Sequence, residues 1–540
     1  MPRQPRPRPE AELLELRVLD GPNRFFNRPA VKLEFSAPLP GVADGVARSA
    51  GEIVRTLHAE VGLPAPHLAF RVSIDGLRAL VAYPWRRRTI SQSIGAAASR
   101  VALGRSTFRR ELGGLRAVAL GPLPAVPSPR IPVVAVTGTN GKSTTTRLIA
   151  HVAASAGRQV GMTNSDGIYV RGELAEAGDW TGFGGAERIL DEPGLDLAVL
   201  ETARGGILLR GIGYDHNDVS VVTNVSADHL GLQGIDTLDE LAEVKATVVR
   251  ITRRGGWTVL NADDPLAWGM RRQTRGTWYP FTLDPRSQAV AQALERGGRA
   301  VMLEDGWLVL RREGGRRHRL ALATEVPVTA AGLSAYNVAN ALAAAAACDA
   351  IGLAPSVIAA GLRSFAQDAA ANPGRLNLFE HDRILVVVDF AHNEAGLAGL
   401  LEVCHAFTGA DGDRRTGRVR LALGTAGDRT DAILLRLGEI AGAGADEVVI
   451  CEKRHYLRGR TLEGLNDLLR EGVRRAGNSG EVVAYPGELS ALQALLANAQ
   501  RGDVVAVMAH VERSEIFAWL EANGFQPMSA TAARESMAAS

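Results

Sequence analysis

Lysine is nearly absent from this chain. Of its 61 basic residues only Lys32, Lys142, Lys245 and Lys453 are lysines, and arginine supplies the rest. Cysteine is scarcer still. Cys348, Cys404 and Cys451 are odd in number and show no metal-ligand spacing, which argues against a disulfide framework or a cysteine-zinc site and fits a reducing cytoplasm. Excess charge is missing too. A formal net charge of +2 over 540 residues gives no global pull toward nucleic acid or a membrane surface. No run of eighteen apolar residues occurs, so no membrane-spanning helix is expected. The opening MPRQPRPRPE is not followed by an apolar signal segment and reads as a flexible arm.

The shortage of lysine is informative. Where a solvated positive charge suffices, this chain carries Arg. A surviving lysine therefore marks a candidate site where a compact, reactive amine is needed, chance survival being the alternative for each.

What is present describes an ordinary globular protein, 46% hydrophobic and 22% charged, with length for two to four domains. Up to about residue 125, strand-like LELRVLDG and VKLEFS precede a helical TISQSIGAAASRVALG. Gly121 to Pro132, GPLPAVPSPRIP, holds five prolines and reads as an interdomain linker. Apolar strands then alternate with helices: VVAVTG, LDLAVLET, DVSVVTNV and WTVLNADD. That alternation implies a parallel sheet flanked by helices. After the alanine-rich SAYNVANALAAAAACDAIG, a second alternating set runs through RILVVVDFAHN, RVRLALGTAGD, DEVVICE and DVVAVMAH, with the boundary near ANPGRLN. The expectation is an α/β protein of three domains: residues 1–125, α+β; 126–372, a central P-loop ATPase-type sheet; and 373–540, Rossmann-like.

Chemistry concentrates in VVAVTGTNGKSTTTRLIAHVAASAG, Val133 to Gly157. A strand breaks into a Gly-rich turn and a helix follows, so backbone N–H groups and the helix N-terminus face an anion. Lys142 reaches the terminal phosphates and the Ser143 hydroxyl suits Mg²⁺. Val136 stands where the usual P-loop spacing has glycine, which makes this a shortened variant; a generic Gly-rich turn is the bland alternative. Glu201 ends the strand of AVLETARGG, where a carboxylate can hold a hard cation. VVTNVSADHLG brings Asn224, Asp228 and His229 to another strand end, although such a pair is often only a capped turn. In TLDELAEVKATVVR, Leu238, Leu241, Val244 and Val248 form an apolar helical stripe. Lys245 adjoins it, as a functional amine or as a snorkelling side chain.

The ordered set resembles the Mur ligase family of ATP-dependent amide ligases over roughly residues 130 to 515. The family pattern of Gly-Thr-Asn-Gly-Lys-Thr/Ser, a strand-terminal Glu, Asn-x-x-x-Asp-His-Leu and a downstream Lys is matched by Gly138 to Ser143, Glu201, Asn224 to Leu230, and Lys245. The resemblance implies ATP contacts at Gly138, Thr139, Asn140, Gly141, Lys142, Ser143 and Thr144. It adds Asn261 and Asp264 of LNADDP on the adenine side, and Arg375, Asp389 and His392 from the C-terminal part. Ser143, Glu201 and His229 would hold Mg²⁺, and Lys142, Glu201, His229 and Lys245 would form the catalytic set. In several family members the lysine matching Lys245 is carbamoylated, which Arg does not readily undergo. The implied reaction has two steps: a substrate carboxylate takes the γ-phosphate to give an acyl phosphate and ADP, then an amine displaces phosphate.

GMTNSDGIYV, GDWTG, LETARGGILLRGIGYD and KRHYLRGRTLEG are similar to the cyanophycin synthetase branch, as is the N-terminal LELRVLDGPNRFFNRPAVKLEF. There the Mur-like half joins arginine to aspartate β-carboxylates, and a separate ATP-grasp domain extends the backbone. Here the proline-rich linker leads almost directly to the phosphate loop, which implies amide formation without backbone extension. Arg204, Arg458, Arg460 and Asn224 are the candidate substrate contacts, each arginine having a solvated or structural role as its alternative. The last strand leads into VMAHVERSE rather than the Gly-Lys-Gly-His-Glu turn of diamino-acid ligases. A muramyl-peptide, folyl-polyglutamate or poly-glutamate ligase is the nearest alternative, and a P-loop NTPase switch a more distant one. The expected partners are a small-molecule or oligopeptide carboxylate and an amino acid, not nucleic acid or membrane; monomer and homo-oligomer both remain open.

Overall fold

In the computed structural model, residues 11–538 are described, apart from 229, 409, 412, 413 and 416. The arginine- and proline-rich arm lies outside the described residues. The chain builds three main sheets. Val31, Leu33 and Phe35, alternating along the strand Ala30–Ser36, form one face of a four-stranded antiparallel sheet. The helices Val42–Glu60 and Arg88–Ala102 cover that face, closing a core around Val54, Leu57, Tyr83 and Ile94. The predicted linker follows without regular structure up to the strand Val133–Thr137.

An eleven-stranded sheet comes next. Its middle is parallel, in spatial order Thr277–Thr282, Thr252–Asn261, Asn217–Val222, Val133–Thr137, Leu197–Glu201 and Val160–Thr163. The apolar runs VVAVT and LAVLE are buried along their whole length because helices cover both faces. The strand Ala300–Glu304 continues the parallel set next to Thr277–Thr282, and antiparallel strands extend both edges, Gly167–Val170 and Glu173–Ala177 on one side and Trp307–Arg311 and Arg317–Leu322 on the other. Sequence pattern did not reveal these edges, since strands such as ELAEA and RHRLAL mix charge with small residues. The helix Ala335–Ala350, capped by Ser334, packs beneath this sheet. Its alanines allow close approach on every side, so it is buried nearly all round.

The third sheet has seven strands, of which Ala484–Tyr485, Glu447–Cys451, Val419–Leu423, Val504–Met508 and Ile384–Asp389 run parallel. Two apolar clusters cover its faces. All three cysteines are free and buried. Among the described residues no helix is long and apolar enough to cross a membrane. Strand order in the central sheet brings the carboxyl ends of Val133–Thr137, Leu197–Glu201 and Asn217–Val222 side by side, the edge where open α/β sheets collect their functional groups.

Candidate active site

Four residues, Gly138 to Gly141, join the strand Val133–Thr137 to the helix Lys142–Ser155. Gly141 sits at φ 81° with no room for a side chain, since a Cβ would lie 2.1 Å from Asn340 Oδ1. No side chain caps the helix, which leaves its first amides for an incoming anion. The neighbouring strand end fixes the loop. Asn224 Oδ1 accepts the Asn140 N–H at 2.9 Å while Asn224 Nδ2 donates to Asn140 O at 3.1 Å. Thr223 Oγ1 donates to the same carbonyl at 2.6 Å. Thr139 N donates to Asn224 O at 2.9 Å and Thr139 Oγ1 to Ser226 O at 3.1 Å. Lys142 Nζ curls back to Thr139 O at 2.8 Å, and Thr144 is buried in the first helical turn.

Glu201, at the end of its strand, is 3% exposed, and its Oε2 has no hydrogen-bond partner. Burial pushes its carboxyl above the usual range, against the opposing pull of Lys142, a Ser143 hydrogen bond and Arg375. Ser143 Oγ lies 3.2 Å from Ser165 Oγ, which Arg375 Nη2 approaches at 3.5 Å. A buried carboxylate oxygen left unpartnered beside a hydroxyl is a donor pair that suits a hard cation. His229, expected to join them, lies outside the described residues. Among those described, no three His, Cys, Asp or Glu side chains gather as a metal site.

Lys245 is buried in the helix Leu238–Arg250, whose N-terminus carries a Thr237–Glu240 capping box. Of the expected stripe, Leu241, Val244 and Val248 are buried, while Leu238, in the first turn, is exposed. Lys245 Nζ donates to Gly138 O at 2.6 Å. Burial and the nearby Lys142 charge hold this ammonium well below the ordinary lysine value, with Asp228 and Asp264 opposing. Asp264 caps the helix Pro265–Gly269 through Oδ1 and accepts the Val225 N–H at 2.6 Å through Oδ2. Asn261 Nδ2 donates to Thr223 O at 2.8 Å. Both brace the strand end that carries Asn224.

The seven-stranded sheet faces the loop from across a cleft. Asn393, which caps the helix Glu394–Phe407, exchanges hydrogen bonds with the Asn140 side chain at 2.8 and 3.1 Å. His392 Nε2 stands 3.6 Å from Asp228 Oδ2, and Arg429 Nη2 donates to Asp228 Oδ1 at 3.3 Å. Asp389 accepts the N–H groups of Leu376 and Ala391 at 2.8 and 2.7 Å, and burial raises its pKa to about 6. The Arg375 guanidinium stacks on Phe390 at 4.2 Å, and burial lowers its pKa.

Two family models match the chain: the Mur ligase middle domain over residues 136–348, and the Mur ligase glutamate ligase domain over 374–511. The chain belongs to the Mur ligase family. Cyanophycin synthetase of Crocosphaera subtropica is 38% identical over 384 residues, 71% of this chain and 43% of that protein. The Mur ligase chain thus spans about two fifths of the cyanophycin synthetases it matches. The UDP-N-acetylmuramoyl-L-alanyl-D-glutamate–2,6-diaminopimelate ligase of Corynebacterium efficiens is 28% identical over 71% of the chain and 69% of its own length. In fold the chain is similar to E. coli FolC solved with DHPP and ADP, at 20% identity and TM-score 0.52, over 74% of this chain and 90% of that one.

The remaining expected contacts of this Mur ligase divide. Arg204 opens the helix Arg204–Leu209 beside the cleft, donating to Leu232 O and Gln233 Oε1 at 3.3 Å. Burial lowers its pKa, with Asp228 and Asp428 opposing. Arg460 braces the loop that carries Arg429, through Gly427 O, Arg429 O and Asp431. Arg458 is exposed over the Tyr456 ring. Asn224 has its amide committed to the loop backbone. Arg429, Asn393 and Ser165 were not singled out from sequence. Arg429 and Asn393 each follow the carboxyl end of a parallel strand, which was the available signal.

Proposed function

We propose that the chain is an ATP-dependent, ADP-forming amide ligase of cyanophycin-synthetase type, which activates a carboxylate and joins it to an amino acid or other amine. Residues 126–372 act as the P-loop domain, 373–540 as the Rossmann-like C-terminal domain, and 1–125 as an accessory domain. The unpartnered Glu201 oxygen, beside Ser143 and under the charges of Lys142 and Arg375, carries this reading. With His229, Glu201 and Ser143 would hold Mg²⁺, which supplies charge neutralisation along the phosphates. The loop amides and Lys142 take the β- and γ-phosphates. Arg375 and Lys142 stabilise charge developing on the transferred phosphoryl group and on the tetrahedral carbon's oxygens. Asn261 and Asp264 shape the adenine side. Arg204 and Arg429, converging beside Asp228 from the two faces of the cleft, suit the carboxylate groups of the incoming substrates. Lys245, held toward its neutral form, is the amine suited to carbamoylation, and the product carbamate would add negative charge beside the cations.

A screen of ADP release tests this, pairing amino acids, arginine first, with aspartyl, glutamyl, cyanophycin-like and muramyl carboxylates. A ligase sustains the release of ADP and phosphate only when both substrates are present, because the carboxylate alone stops at the acyl phosphate, and it yields a product heavier by one amide condensation. ADP release independent of both would make the chain an NTPase switch instead.

A further inference from the structure

We infer that Asp166 is a positioning residue that seats Arg375 at the phosphate side of the cleft by holding two arginine clamps on the linker ahead of it. Asp166 lies in GMTNSDGIYV, between the strands Val160–Thr163 and Gly167–Val170. Its two oxygens are taken from opposite sides. Oδ2 accepts Arg147 Nη2 at 3.1 Å, from the helix that follows the phosphate loop, and Oδ1 accepts Arg513 Nη2 at 2.8 Å, from the helix Arg513–Ala522 of the other sheet unit. Each guanidinium has a second hold. Arg147 Nη1 donates to Ala371 O at 3.3 Å, and Arg513 Nη1 to Pro373 O at 3.2 Å. One carboxylate thus joins two grips on the carbonyls just before Arg375.

The local chain fits this grip closely. Gly374 has φ 65°, and a Cβ there would come within 2.6 Å of Arg513 Cδ. The Arg375 and Arg513 guanidiniums both lie over the Phe390 ring, 4.2 and 5.5 Å from its centroid. Arg375 then reaches Ser165, the residue before Asp166. Arg147, Arg375 and Arg513 crowd one site with Asp166 among them, its side chain 11% exposed. Removing that negative charge leaves three like charges in a poorly solvated space; their repulsion loosens the grips of Arg147 and Arg513 on Ala371 O and Pro373 O, and Arg375, on the chain just after them, moves off its seat.

What Arg375 does rests on the ligase reading above; the seating itself does not. Both are tested on the full chain with Asp166→Asn and Asp166→Glu. Without nucleotide, Asp166→Asn should raise amide hydrogen exchange at residues 371–376 and leave the strands Val133–Thr137 and Ile384–Asp389 protected. Its kcat should fall about a hundredfold, as for a misplaced reacting group, with the KM for ATP changed by no more than about twofold. Asp166→Glu should recover most of that loss. Unchanged exchange at 371–376, or unchanged kcat in the Asn variant, overturns the inference, as does a kcat loss matched by loss of folded protein. If the wild type releases no ADP with any substrate pair, the ligase reading falls, and the exchange measurement alone decides the seating.

Discussion

At the scale of single residues, three of the four lysines, Lys32, Lys245 and Lys453, occupy buried seats and Lys142 a half-buried one, so the scarcity of lysine does not by itself mark reactive amines. Lys245 Nζ meets Gly138 O at 2.6 Å, Lys142 Nζ meets Thr139 O at 2.8 Å, and Lys453 Nζ meets Met508 O at 3.2 Å while pairing with Glu488. Lys32 lies between Glu15 and Glu34 at 2.5 and 2.8 Å. A forked guanidinium would strand donors at each of these seats. Only Lys142 and Lys245 stand at the cleft. Lys245→Arg is expected to lose about a hundredfold or more in turnover, together with any ¹³C carbamate signal after incubation in labelled bicarbonate. Full activity in that variant would show that charge alone is required. Asp389 gives a second prediction. Its pKa of about 6 lies above the ordinary value of 3.8, so the folded protein holds a proton there that the unfolded chain has released. The stability this contributes is complete below about pH 4 and is lost as pH rises through about 6, on the order of 3 kcal/mol in all. The melting temperature of the wild type should therefore fall relative to Asp389→Asn across that range. A pH-independent difference between the two proteins would refute the shift.

At the scale of elements, the loop Gly138 to Gly141 is held mainly by the adjacent strand end. Asn224→Ala removes two hydrogen bonds to Asn140 and leaves Thr223 and Thr139 holding the turn. The loss to stability should be about 1 to 3 kcal/mol. The KM for ATP should rise because the loop amides are no longer pre-set, and an unchanged KM would mean that Thr223 and Thr139 suffice to fix the turn. Most of these elements were legible in sequence because parallel strands covered on both faces must be apolar runs, and VVAVT, LAVLE, ILVVVD and VVAVM are such runs. The edge hairpins were not, since an edge exposed to water tolerates the charges of Glu173, Glu176, Arg317 and Arg319. Half the site was legible for the same local reason: a phosphate loop is contiguous. The pairing of Asn140 with Asn393, 253 residues apart, and the approach of Arg429 to Asp228 depend on how two sheets face each other, which no spacing in the chain encodes.

At the scale of the whole molecule, the N-terminal unit docks on the helix that carries Lys245. Arg24 and Arg71 both pair with Glu243, Arg78 meets Asp236 at 2.9 Å, and Arg250 donates to Asn23 O at 2.8 Å. Burial lowers the pKa of Arg250 to about 10, so this interface already concentrates positive charge around one carboxylate. Glu243→Gln would leave Arg24, with 2% of its side chain exposed, with the longer Glu240 contact at 3.7 Å as its ion pair and one bond from Nη1 to Gly234 O at 3.4 Å. The cost should be about 3 kcal/mol, near the low end for breaking a buried pair because about a quarter of the Glu243 side chain is exposed. Calorimetry should then show a lower melting temperature, or a separate early transition for the N-terminal unit. Because the helix Leu238–Arg250 extends from this interface to Lys245, loosening its docking should also lower kcat more than it raises the KM for ATP. If the variant melts earlier with both constants unchanged, the N-terminal unit is stabilising only its own side of the interface, and the seat of Lys245 depends on the central sheet alone.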